Sequence, residues 1–216
     1  MRITDRGESN MSKRPKCFVE ILEAVENYRW PKKGDRLLRD SKDWDRGVDF
    51  TRDQISRHVH IWSGYMSAGE ALIDACQEAP HDRYFLIYPI LFNYRHGLDL
   101  AMKWIIMMYG RHTSASVGEI EHHNLWQLWK LCKKIVIEIG GEDEAIPVVE
   151  QIIKDFHELD KSALAFRYSR DKNGVLIALP DRMIDMENIR DVMQAVSHFF
   201  EGADGQLDYN SGAVGW

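Results

Sequence analysis

The chain has 216 residues, of which 44% are hydrophobic and 29% charged, the balance of an ordinary globular protein with enough apolar material for one substantial core. Its net charge of -6 excludes a whole-chain basic field for duplex nucleic acid and leaves only a local Lys/Arg patch as a route to phosphate. Three cysteines, Cys17, Cys76 and Cys132, form no CxxC pair, which excludes a disulfide framework and a structural zinc site and points to a reducing cytoplasm.

Residues 1–16 have no apolar h-region and read as a disordered lead-in rather than a secretory signal. From Cys17 to Tyr28 the positions of Phe18, Ile21, Leu22 and Val25 predict a first helix, which Pro31 stops. A polar connector follows. A second helix is expected from about Asp49–Thr51 to Ala79, with Thr51 as its N-cap and Ile55, Val59, Trp62, Met66 and Ile73 as its apolar stripe. Gly64, Ser67, Ala68, Ala71 and Ala75 are small enough for another helix to approach closely.

Residues 85–109, FLIYPILFNYRHGLDLAMKWIIMMY, form the longest strongly apolar stretch and predict a third, long helix that Pro89 is able to kink. Asn93, Arg95, His96, Asp99 and Lys103 interrupt it, and that set is too costly for a bilayer, so no membrane span is expected. After a polar loop, His123 or Asn124 caps a fourth helix that ends at Gly140–Gly141. A fifth has Pro147 near its start and a stripe through Ile146, Val149, Phe156 and Leu159. Phe166–Tyr168 and Val175–Leu179 flank the turn-rich Asp171–Gly174 and predict a small β-hairpin. Asp185 opens a last helix, and residues 204–216 read as a disordered tail. The expected architecture is all-α: one helical domain over residues 17–203, with a β-hairpin insertion near residues 165–179.

Three segments together resemble a known family. Tyr94-Arg95-His96-Gly97-Leu98-Asp99-Leu100-Ala101-Met102-Lys103, then His123-Asn124-Leu125-Trp126-Gln127-Leu128-Trp129, then Phe166-Arg167-Tyr168-Ser169-Arg170-Asp171-Lys172-Asn173-Gly174 resemble an uncharacterised bacterial branch of the HEPN-like helical bundles. That branch carries YRHxLEL-x-LK, HxLxxLW and FRYPxDxxG segments. Asp99 stands here for its Glu and Ser169 for its Pro, and the resemblance covers about residues 60–200. It implies RNA- or nucleotide-binding modules, metal-independent ribonucleases or inactive dimer partners, many of them from toxin–antitoxin and phage-defence systems. The nucleases of that family carry an Arg-x4–6-His signature. The formal match in this chain, Arg52 to His58, lies outside the resembling part, and Arg95 and His96 are adjacent.

The polar cluster on the long helix admits two readings. In one, Arg95, His96 and His123 are the catalytic set: Arg95 and His96 hold a phosphate or RNA backbone, His96 is also able to transfer protons, His123 joins them as an acid–base group, and Asp99, Lys103, His122 and Arg167 complete a binding site. In the other, Arg95–Asp99–Lys103, spaced i, i+4, i+8, form an ion network that orients the helices, and Arg167 belongs to a hairpin that seals the bundle. His122 and His123 precede a helix start, which attracts anions, but a cap or surface role suits them equally. No metal is expected at this His pair, because no third ligand stands at a suitable spacing, and no cofactor motif is present. The leading expectation is therefore a cytoplasmic, homodimeric, RNA-related protein without cofactor or membrane partner. The alternative is a non-catalytic helical interaction or dimerisation module.

Overall fold

A computed structural model describes residues 29–50, 56–115, 118 and 120–212. The expected lead-in, the helix over residues 17–28, the Thr51 cap and Arg52 lie outside the described residues. The chain divides into two compact units, Met1–Asp49 and Phe50–Trp216. In the first unit, residues 29–49 form turns without a regular helix. One of these turns is held by Arg29 Nη2 on Asp35 Oδ1 at 2.6 Å and by the Lys32 amide on Asp35 Oδ2 at 2.8 Å.

The second unit is the all-α bundle that the periodicity predicts. Its helices are α1 (Arg57–Glu78), α2 (Arg83–Tyr109), α3 (Leu125–Gly140), α4 (Ala145–Leu159) and α5 (Met186–Ser211). The long apolar stretch becomes α2, whose Ile90, Leu98, Met102, Ile105 and Ile106 are essentially excluded from solvent. It packs on α1, α3 and α5 and so forms the axis of the core. Pro89 lies within its second turn without ending it. The carbonyl that Pro89 leaves without a donor belongs to Phe85, which is exposed and open to water. No helix among the described residues is long and apolar enough to cross a membrane.

The close approach of α1 and α2 depends on other small residues than those expected. Gly64, Ser67, Ala71 and Ala75 face solvent. The contact is made by Gly69, where a Cβ would stand 2.8 Å from the Tyr94 ring, and by Gly97, where it would stand 3.0 Å from the Met66 sulfur. The capping signals behave as read. The Asn124 side chain accepts the Gln127 amide at 3.0 Å, Gly141 closes α3 at φ 91°, and Asp185 Oδ1 accepts the Glu187 and Asn188 amides.

Two expectations are corrected. The β-hairpin near residues 165–179 is absent. Residues 164–168 make a helical turn, with the Arg167 and Tyr168 amides donating to the Leu164 carbonyl, and Phe166 is buried in the core. Beyond it the pairing is one isolated bridge, Arg170 with Leu176. Asp171 Oδ1 takes the Asn173 and Val175 amides at 2.9 Å each, so a side chain rather than a strand ladder organises the loop. Residues 204–211, expected within a disordered tail, are the last turns of α5. Leu207 is fully buried, Asp204 accepts from Trp104 and Tyr109, and Gln206 and Asn210 donate to the Gly140 and Ile139 carbonyls.

Candidate functional site

The polar cluster of α2 separates into two layers. The inner one is built on Arg95, which is 4% exposed. Its Nη2 donates to the His123 carbonyl at 2.9 Å and the Asp160 carbonyl at 3.2 Å, while Nε stands 3.2 Å from Asp160 Oδ2 at ion-pair range without hydrogen-bond alignment. Burial lowers the pKa of the guanidinium, and Asp160 and then Asp99 oppose that shift, so it stays cationic. Asp160 is itself buried, and its Oδ1 accepts the Leu164 and Ala165 amides at 2.9 and 3.1 Å. Arg95 thus ties α2 to the loop before α3 and the turn after α4. The expected Arg95–Asp99 pair, four residues apart on one helix, gives way to a partner 65 positions away. Sealed in this manner, Arg95 has almost no surface at which to meet a ligand.

The outer layer is Asp99, Lys103 and His123. Asp99 is fully buried. Lys103 Nζ lies 2.9 Å from its Oδ2, and His123 Nδ1 lies 3.3 Å from both of its oxygens. Lys103 Nζ and His123 Nδ1 are also 3.5 Å apart. Both cannot share a proton and face one carboxylate, so the consistent assignment is Nδ1–H and the ammonium both donating to Asp99. The His123 side chain is 52% exposed, and its Nε2 has no hydrogen-bond partner among the described residues. A buried carboxylate that fixes the tautomer of a surface imidazole leaves that imidazole a free basic nitrogen.

A row of stacked groups adjoins this layer. His96 stacks on Phe92 at 5.5 Å and meets the edge of Tyr65 at 4.5 Å. The Arg167 guanidinium lies 5.9 Å from the Phe92 ring centre and 5.6 Å from that of Tyr168. Its Nε and Nη2 both donate to the Ala163 carbonyl, in a turn where Ala163 itself takes φ 60°. Left-handed backbone at a non-glycine residue is strained and persists only where its surroundings hold it. Burial lowers the pKa of His96; Asp99 opposes that, and His123, Lys103 and Arg167 add to it, so its imidazole is neutral near pH 7.

Of the residues read from the sequence, His96, Asp99, Lys103, His123 and Arg167 share this neighbourhood. Arg95 lies beneath it, and His122 is set apart as a surface residue whose Nδ1 accepts the Asn124 amide at 3.3 Å. Asp160 was missed: a single Asp at a helix end has no spacing relation to Arg95, though its place four residues before Leu164 is that of a turn-organising carboxylate. Among the described residues no three His, Cys, Asp or Glu side chains are placed to hold a metal ion. No protein-family model matches the chain, and neither curated proteins nor solved structures provide a match.

Proposed function

We propose that the protein binds RNA at the face formed by Lys103, His123, His96 and Arg167, and cleaves it without a metal. The observation that carries this reading is the fully buried Asp99 carboxylate holding Nδ1 of the half-exposed His123. With Nδ1–H committed to Asp99, Nε2 of His123 is the group to accept the proton of a ribose 2′-hydroxyl as that oxygen attacks the neighbouring phosphorus; the P–O5′ bond breaks to leave a 2′,3′-cyclic phosphate, and the departing 5′-oxygen takes a proton from water. Lys103 and Arg167 supply positive charge for the phosphate oxygens, and the rings of Tyr168 and Tyr65 offer surfaces for unstacked bases. Catalysis thereby rests on His123, with Asp99 and Arg95 in positioning roles and His96 as a neutral neighbour. The resemblance of the motif segments to HEPN-like proteins supports a role in defence or a toxin–antitoxin pair and a homodimeric state. The free thiols of the buried Cys76 and Cys132 suit a reducing cytoplasm.

The test is a fluorescent single-stranded RNA incubated with purified protein in EDTA, with cleavage and anisotropy read in parallel. His123→Ala is expected to lower cleavage by about 10²–10⁴-fold, the usual contribution of a general acid–base group. Binding should change far less. Lys103→Met should weaken binding itself. Equal cleavage by the wild type and His123→Ala, or cleavage by neither, overturns the catalytic assignment.

A second reading, the non-catalytic interaction module, draws on the sealing of Arg95, because one of the three residues that the sequence reading takes as catalytic then has a purely structural task. It is the reading to adopt if no RNA binds.

A further inference from the structure

On another side of the helical unit, α4 and α5 enclose a groove of about 650 Å³. The main helix contact of α4 is with α3, whereas α5 leans on α1, α2 and α3, so α4 and α5 meet only marginally. Between them lies a floor of Leu91, Phe156 and Met193, each buried from one side by the core. Its walls run from Ile152 to Leu159 on α4 and from Asp185 to Met193 on α5. Each wall is about two helical turns, or roughly 10–12 Å, long. That is the footprint of a helix presenting apolar residues at i, i+3, i+4 and i+7.

The rim has a definite sign. Asp155, Glu158 and Asp185 line it with Arg182, and Lys161 stands on Glu158, so carboxylates outnumber cations by one. Asp155 and Asp185 use Oδ1 for Gln151 and for the α5 cap, and Glu158 uses Oε2 for Lys161. Each keeps its other oxygen without a partner among the described residues. Met183 also lines the groove and is 99% exposed, a flexible thioether side chain of the kind that adapts to varied apolar surfaces.

We propose that this groove receives one amphipathic helix of a partner protein, apolar on the buried face and flanked by Lys or Arg. The chemistry excludes an acidic helix, whose flanks would face three carboxylates, and a fully polar one, which would leave the floor wet. The site is independent of the RNA-binding face and does not rest on that reading.

The experiment uses the full chain and a fluorescein-labelled helical peptide of Leu and Lys with Leu at i, i+3, i+4 and i+7, beside a Leu/Glu peptide of the same pattern. The Leu/Lys peptide should bind at least about tenfold tighter than the Leu/Glu peptide. Two variants at exposed positions, Met183→Glu and the pair Asp155→Lys with Glu158→Lys, should each weaken that binding by about tenfold with unchanged melting temperature. Glu142→Lys changes the charge in the same sense about 20 Å away, beyond the other end of α4, and should leave binding unaltered. Equal affinity for both peptides, no binding of the Leu/Lys peptide, or equal loss in Glu142→Lys overturns the proposal. A photo-cross-linker at position 183 that captures a second copy of the chain, or another part of the same chain, in place of the peptide does so too.

Discussion

Arg95 and Asp99 are one helical turn apart and yet serve different ends, because each found a partner outside its own helix. Arg95 reaches Asp160 and the His123 carbonyl in the interior, and Asp99 reaches the His123 ring and Lys103 toward the surface. Removing one member of a buried pair strands the other. Asp160→Ala should therefore destabilise the protein by about 3–5 kcal/mol in urea unfolding, and adding Arg95→Met should recover part of that loss. Full additivity of the two substitutions would contradict the pairing. Arithmetic on the sequence sees only i, i+4 neighbours, so it found the Asp99–Lys103 pair and missed that Arg95 turns away to Asp160. Asp160 was legible only as a turn-former, since nothing local shows which guanidinium fills its second oxygen.

At the level of elements, the periodicity of the apolar residues carried most of the information, and helix ends followed from Asn124, Gly141 and Asp185. The hairpin misled because Asp171–Gly174 is a turn signal for any chain reversal. Only burial of Phe166, which a strand would have placed on a two-residue alternation, distinguishes a core anchor from a ladder. The small residues misled for a related reason. Composition shows which positions permit a close approach, while the face that meets the neighbour is decided by where Tyr94 and Met66 lie. At Gly69 a methyl group would stand 2.8 Å from the Tyr94 ring, and that ring is buried. Gly69→Ala should cost about 1–3 kcal/mol through overpacking, although alanine is the better helix former. Gly64→Ala, on an open face, should instead stabilise by about 0.5–1 kcal/mol. A melting series in which both raise or both lower stability would refute this placement of the α1–α2 contact.

For the whole molecule, acid should act in two separate windows. Burial lowers the pKa of both His96 and His157 below 6.5, so the folded state holds them neutral where the unfolded chain takes up protons. Stability from these groups is present above pH 6.5 and is lost as the pH falls through their folded values. Glu150 behaves as a carboxylate does. Hydrogen bonds from Lys133, Lys154 and Trp129 hold it down to about 2, so its contribution persists until the pH drops below 4.5. Melting temperature should accordingly decline between pH 7 and 5, and His96→Phe should flatten that decline while Glu150→Gln leaves its slope unchanged. Equal slopes in all three proteins would show that burial of His96 has no such effect.

The clasp of α5 on α2 also sets a schedule for the chain as it is made. Tyr109 donates to Asp204 at 2.7 Å across 95 positions, and Trp104 donates to the same carboxylate at 2.8 Å across 100. At about 5–20 residues per second, a ribosome needs roughly 5–20 s to reach Asp204 after it has passed Tyr109. Throughout that interval the nascent α1–α2 pair presents the bare side of α2 to the cell. Of the five helices the last in chain order is thus the one that closes the core, and any pause in translation between α2 and α5 lengthens the time for which this surface stands open to chaperones and to other chains.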